Sequence, residues 1–395
     1  MPAPDSVSPG TKVAFIGCWF NRDMYSHNCS YLVESLRKRG ADIEVITSNC
    51  RCFSTAQRFD IAAGELININ CTPIKLPHAP RNPGMKHGLL KRLAVKSLRL
   101  DLWLGMVRGF LYHRKARRAG IIHYDQVLEA FGAIPFFVLL LLTRRTQSRL
   151  FVTVHEIDPF QRNHLWVNRL YNKCARVIVY SENMKSAVVA LGVNPEKISV
   201  TNYGSPILEL LEQPRTRYIF FGGHNILSGK GYKALLESLT ILRHRDVPIR
   251  LLTYVGHGCN GAEEARAMAV QMGVADMIDW SEFFSGAELA AAYQSCKACI
   301  IPYSSGSARH ALTTAMANAT PVIGTRFVDI PEYLGNLGIY IDGSAESIAD
   351  AICDIEKGRT DLHALGIALR KKATEEFDVA RVAGTIQSLY AHCEC

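Results

Sequence analysis

Short apolar runs alternate with amphipathic helical stretches along this chain, pause once, and start again. That alternation constrains the fold more than any other feature. The run Lys12-Val-Ala-Phe-Ile16 closes at Gly17. A helical stretch with Tyr31, Leu32, Ser35, Leu36 and Arg39 on spaced faces follows, Gly40 stops it, and Ile43-Glu-Val-Ile-Thr47 begins a second strand. Further runs at 150–154, 176–180 and 198–201 continue the pattern. Near-continuous apolar strands alternating with helices indicate a parallel sheet covered on both faces. Residues 204–216, with Gly204, Pro206 and Pro214, break the pattern and read as a linker. The alternation resumes with runs at 218–221, 249–255, 298–301, 321–323 and 339–341. Between them, Leu235, Leu236, Leu239 and Leu242 share one face of a helix over 231–243, and Ser344 is placed to cap a helix over 345–356.

The fold class that follows is α/β, with two Rossmann-like doubly wound domains facing a central cleft. The expected divisions are a flexible tail over 1–11, an N-terminal domain over 12–203 and the linker over 204–216. A C-terminal domain over 217–372 follows, then a last helix over 373–395 that crosses back to the N-terminal domain. A chain of 395 residues has room for two full cores. The net charge of +9 suits an anionic ligand or surface without demanding nucleic acid. The 12 cysteines are scattered, and no secretory apolar region opens the chain, so reduced thiols in a cytoplasmic protein are expected. The tight pairs Cys50/Cys52 and Cys393/Cys395 lack the spacing of zinc knuckles, and no metal site is expected. The apolar run 133–142 contains Pro135 and is about half the length a bilayer span needs.

Two segments carry more than architecture. Ser304-Ser-Gly306-Ser307-Ala308-Arg309-His310 reads as a turn opening a helix, followed after Thr320-Pro321 by another strand. Backbone N–H groups and the positive end of a helix dipole meet at such a turn. Arg309 and His310 occupy the first helical turn, where an isolated helix favours acids, and this points to a docked anion such as a phosphate. An ordinary strand–turn–helix of an α/β core is the plain alternative. Residues 86–118 interleave Lys86, Lys91, Arg92, Lys96 and further basic residues with leucines and Trp103, against one acid, Asp101. A basic amphipathic stretch of this kind is suited to lie on anionic lipid at the inner face of a membrane. A solvated helix face, or a basic wall around an anionic acceptor, would look the same.

In order and spacing, several segments resemble glycosyltransferase family 4, the retaining GT-B enzymes that include glycogen synthases and mannosyltransferases. They are Val152-Thr-Val-His155, Ala175–Lys185, Leu191–Gly204, Phe220-Phe-Gly222-Gly223 leading to Lys230-Gly231, Leu252–Gly258, Ala315-Met-Ala317 with Thr320–Gly324, and Asp329-Ile-Pro331-Glu332. The resemblance runs from about residue 12 to about residue 390. It implies transfer of a hexose from a UDP- or GDP-linked sugar to a hydroxyl of a glycan, a lipid-linked saccharide or a small natural product, with retention and without metal or other cofactor. It further implies catalytic roles for His155, Lys230 and Arg309. A donor-binding set of Gly222, Gly223, His224, Gly306, Ser307, Ala308, His310, Thr314 and Glu332 is implied as well. The chain departs from the family pattern at the Glu-x7-Glu pair, whose positions hold Gly306 and Thr314. His224-Asn225 stands where an Arg is usual, and Cys18–Asp23 replaces the Gly-rich acceptor loop.

The chemistry of these residue types agrees with that role. A departing diphosphate gains negative charge, which fixed dipoles and cations stabilise. Lys230 offers a point charge and Arg309 a forked donor pair. His155 ends an apolar strand, where an open α/β sheet presents side chains to ligand, although a core histidine would occupy the same place. Two other readings remain: a catalytically silent GT-B partner or scaffold protein, favoured by the missing Glu pair, and a sugar-nucleotide epimerase, which needs cleft carboxylates.

Overall fold

The computed structural model describes residues 12–17, 23–48, 66–69, 119–125, 149–155, 168–169, 171–281, 286–327 and 329–392. The basic stretch 86–118, the apolar run 133–142, the loop 18–22, the acids Glu156 and Asp158 and the paired cysteines at 50, 52, 393 and 395 lie outside the described residues, as does the side chain of His224.

Two units are present, one grouping Met1–Thr201 with Gly384–Cys395 and the other comprising Asn202–Ala383. In the first, seven strands form a sheet: Lys12–Gly17 (β1), Asp42–Ser48 (β2), Leu66–Ile69 (β3), Ile121–Asp125 (β4), Leu150–Thr153 (β5), Arg176–Val179 (β6) and Ile198–Val200 (β7). Asp23–Lys38 (α1) joins β1 to β2, and Glu182–Ala190 (α2) joins β6 to β7. The order is β3-β2-β1-β4-β5-β6-β7, and every strand pair recorded is parallel. Ser181 caps α2, its side chain accepting from the Met184 N–H at 3.1 Å. The β4 strand was not legible as an apolar run. It reads Ile-Ile-His-Tyr-Asp, yet all five residues are buried.

In the second unit six strands form a parallel sheet: Arg217–Asn225 (β8), Leu251–Asn260 (β9), Ile278–Ser281 (β10), Cys296–Ile301 (β11), Val322–Thr325 (β12) and Ile339–Ile341 (β13). Its helices are Tyr232–His244 (α3), Ala262–Gln271 (α4), Gly286–Gln294 (α5), Arg309–Ala317 (α6), Ile330–Leu334 (α7), Ala345–Glu356 (α8) and Leu362–Lys372 (α9). Val379–Ala391 (α10) ends the described chain, and its residues from Gly384 on are grouped with the first unit. The strand order β10-β9-β8-β11-β12-β13 is that of a Rossmann sheet. Leu235, Leu236, Leu239 and Leu242 are fully buried on α3, and Ser344 caps α8 by accepting from Ser347 N–H at 3.2 Å, as their spacing implied.

A polar knot sits inside the first unit's core. His123 on β4 is fully buried, with its ring edge-on to Phe15 at 4.8 Å. Its Nδ1 lies 2.5 Å from the Tyr390 hydroxyl and its Nε2 2.7 Å from Thr153 Oγ1. A neutral imidazole meets both contacts, one nitrogen accepting and the other donating. Burial lowers its pKa to about 4, offset in part by the Asp125 charge.

A base with a folded pKa below its unfolded value of 6.5 binds fewer protons when folded, so its contribution to stability is lost as pH falls from about 6.5 towards about 4. Urea midpoints should therefore drop between pH 7.5 and pH 4.5, and the His123 share of the loss is roughly 2–3 kcal/mol. His123→Asn should remove that share; wild-type and variant curves with the same pH dependence would refute the assignment.

Candidate active site

In an open parallel sheet, ligands bind beyond the carboxyl ends of the strands, where the strand order reverses. In the second unit that point lies between β8 and β11, and Gly222 and Gly223 near the end of β8 and the turn at 304–308 after β11 flank it. The β8 strand runs out through Phe221-Gly222-Gly223, with Gly223 at φ +63. A Cβ at Gly222 would stand 3.0 Å from the Ile226 side chain and 3.1 Å from the Tyr254 carbonyl, so the backbone can pass only without a side chain. Phe221 stacks on Tyr254 with centroids 4.8 Å apart, and its carbonyl accepts from the Tyr303 hydroxyl beyond β11.

The loop Gly229-Lys230-Gly231 docks on the segment after β11. The Gly229 carbonyl accepts from Ser304 N–H at 2.8 Å and from Ser305 N–H at 3.1 Å. Gly231 has φ +70, and a Cβ there would lie 2.1 Å from the Pro302 carbonyl oxygen. Only glycine meets both demands. Lys230 is half-buried. Its Nζ stands 3.9 Å from the centroid of the Tyr303 ring and 3.5 Å from the Ser307 carbonyl oxygen. The ring face and the carbonyl together hold an ammonium at the rim of the turn.

The turn itself, Ser304 to Gly306, is exposed. Gly306 has φ +79 and nothing within 4 Å of an added Cβ, so the first position of the absent Glu pair faces open space. The second, Thr314, is buried on α6. Ala308 occupies the N-cap of α6 without a side-chain cap, and only the Ser307 hydroxyl approaches the Arg309 N–H, at 3.4 Å. The Arg309 side chain, 6% exposed, pairs through Nη1 with Oδ2 of Asp329, 3% exposed. The His310 ring lies 5.4 Å from Phe221 and 6.3 Å from Tyr203. Glu332 is exposed in the first turn of α7, one turn on from Asp329.

His155 belongs to the first unit. It follows β5 and is 3% exposed, with Nε2 2.6 Å from Asp125 Oδ1. An ionised carboxylate only accepts, so Nε2 carries a proton and the ring orientation is fixed by Asp125. Tyr180 meets the ring edge-on at 5.0 Å. Sequence reasoning missed Asp125, which ends a strand that was not recognised; it placed Asp329 in a family-like segment without a role, and Arg309 as its partner went unseen.

Comparison with known proteins agrees with this geometry. Residues 29–204 match the family described as Glycosyltransferase Family 4, and residues 215–357 match Glycosyl transferases group 1. These matches, one in each half, support a GT4-like glycosyltransferase of two Rossmann-like domains. It is similar to an MMP alpha-(1->4)-mannosyltransferase of Mycolicibacterium hassiacum, 26% identical over 222 residues, or 54% of this chain and 52% of that protein. The match thus spans about half the length of that relative. Among solved structures, a sucrose-phosphate synthase from Thermosynechococcus elongatus aligns with TM-score 0.71 at 16% identity, covering 97% of this chain and 98% of the other. HepE of Anabaena, in complex with UDP and glucose, aligns with TM-score 0.69 at 15% identity, covering 95% and 98%. A glycosyltransferase from Rickettsia africae aligns with TM-score 0.68 at 15% identity, covering 97% and 98%. At these identities the structures establish the shared GT-B fold.

Gly231→Ala should lower the stability of the second unit by more than about 2 kcal/mol, since backbone strain and a clash with a carbonyl add. Gly358→Ala, at φ +69 but with open space around the Cβ, should cost only about 1 kcal/mol. Equal denaturant midpoints for the two variants would contradict the tight docking of the loop.

Proposed function

We propose that this chain transfers a hexose from a UDP- or GDP-linked sugar to a hydroxyl of a saccharide, a lipid-linked glycan or a small natural product, with retention of configuration. The observation that carries the reading is the docking of Gly229–Gly231 on the turn after β11, which brings Lys230 beside Ser307 at the strand-order reversal of a GT-B sheet. The complex of HepE with UDP and glucose supports a nucleotide-sugar donor, and the mannosyltransferase relative supports a glycan acceptor.

In this reading the diphosphate lies against the N–H groups of the turn at 306–308 and the first turn of α6, with Lys230 balancing the charge that grows on the leaving oxygen. Gly222 and Gly223 allow the donor to approach the β8 backbone closely, and His310 and Glu332 border the same point. His155, oriented by Asp125, is the first unit's candidate for a catalytic role. The acceptor hydroxyl attacks from the side on which the phosphate departs, and the departing phosphate oxygen takes the hydroxyl proton. Charge compensation by Lys230 and the peptide dipoles makes the step independent of a metal ion. The basic stretch 86–118 is the segment proposed to meet anionic lipid. Among the described residues no helix is long and apolar enough to cross a membrane.

Incubation with a panel of UDP- and GDP-sugars should release nucleotide with at least one donor. Lys230→Ala should reduce that turnover at least about 100-fold, the scale expected for one transition-state cation, with an unchanged melting temperature. Absence of nucleotide binding across the panel would overturn the reading. Turnover indifferent to Lys230→Ala would move the site elsewhere.

A further inference from the structure

Two residues at the candidate site are each in the wrong place by local rules, and each corrects the other. Arg309 is the first residue of α6, where a cation opposes the helix dipole. Asp329 occupies the N-cap of α7, where an aspartate ordinarily caps its own helix, yet it makes no capping bond. Its carboxylate turns to Arg309 instead, and the two side chains are 6% and 3% exposed. Neither residue suits its own helix; only the pair makes sense. Local choices that fail in isolation and succeed only through a long-range partner mark a functional constraint.

The pair also stands where a cap is missing. Ala308 leaves the start of α6 without a side-chain cap, and the Ser307 hydroxyl reaches only to 3.4 Å. The Gly229 carbonyl fixes the start of the turn, and the Arg309–Asp329 pair lies at its end. Tyr333, four residues beyond Asp329 on α7, is buried and stacks on Phe377 with centroids 4.8 Å apart. Arg309 is already neutralised by Asp329 and enclosed, whereas Lys230 meets a ring face and a carbonyl oxygen.

We propose that Arg309 and Asp329 form a positioning pair. They do not touch the donor diphosphate; they lock the turn before α6 to the loop before α7, and so fix the backbone N–H groups and Glu332 against the donor. This assignment rests on the sugar-transfer reading, and it gives Arg309 a different part from the phosphate ligand implied by its place in the sequence.

The test uses the full chain, with UDP and GDP as probes for affinity and nucleotide release from the accepted donor for turnover. Arg309→Met alone leaves the Asp329 carboxylate uncompensated beside the turn and should weaken nucleotide binding at least tenfold. The double variant Arg309→Met/Asp329→Leu removes both charges and should bind nucleotide within threefold of wild type, while kcat stays at least tenfold down. A double variant that binds as poorly as the single one would overturn the proposal, because Arg309 would then contact the phosphates. One with wild-type affinity and wild-type kcat would overturn it too, the pair being then only structural. If the double variant does not fold, Arg309→Lys decides: a fall in kcat at constant nucleotide affinity supports positioning, and a matching fall in affinity refutes it. Wild-type chain that binds neither UDP nor GDP would defeat the donor reading itself, and the pair's role with it.

Discussion

One carbonyl oxygen holds the candidate site together. Gly229 O accepts from both Ser304 and Ser305, and these two bonds tie the loop after β8 to the turn after β11. A parallel sheet brings the ends of β8 and β11 side by side because the strand order reverses between them, but it does not join the loops that leave them. Joining requires a backbone with no side chain in the way, and the chain provides Gly229 and Gly231, both at positive φ. Once the loops are joined, the placement of Lys230 between them leaves its ammonium little choice. It lies over Tyr303, whose own hydroxyl is bound to Phe221 O on the neighbouring strand.

The two cations of the site differ in what surrounds them, and the difference matters more than their shared sign. A guanidinium buried against a carboxylate has its charge satisfied and costs several kcal/mol to expose or unpair. Such a group is suited to holding a shape. An ammonium on a flexible stem, in contact with a ring and a carbonyl, keeps the ability to turn towards an incoming anion. The sequence presents Arg309 and Lys230 as equivalent partners for a diphosphate; their surroundings differ, one enclosed against a carboxylate and the other lying over a ring face.

Much of the fold was legible because the two sheets are built from apolar runs with helices between them. The runs at 150–154 and 298–301 lie on strands with buried cores, and Ser344 caps the helix that its position announced. The strands that escaped notice, β3, β4 and β10, carry polar residues at half or more of their positions or are only four residues long. Ile121–Asp125 is the instructive case: His123 and Asp125 make it look like a loop, and burial makes it a central strand. The glycine-rich landmarks of the site were visible for the same reason that they exist, since a backbone forced close to another admits one residue type. The pairings of Asp125 and Asp329 were not visible, because the sequence separates each from its partner by 30 and 20 residues and only the sheet brings them together.

The β4 strand also sets the surroundings of two histidines, its own His123 and His155 just after β5. Side chains two apart on a strand share a face, so His123 and Asp125 point the same way, and each reaches the diagonal residue on β5 or just beyond it, Thr153 and His155. The inner pair joins an imidazole to a hydroxyl, in full burial, with Tyr390 closing the other side. No anion compensates it fully, so the ring stays neutral and the pKa sits near 4. The outer pair joins an imidazole to a carboxylate at the carboxyl end of the sheet, where ligands of such folds bind. The orientation of that ring is fixed by the carboxylate. The same register thus gives His123 a hydroxyl partner and gives His155 a carboxylate, through β4 residues that lie two positions apart.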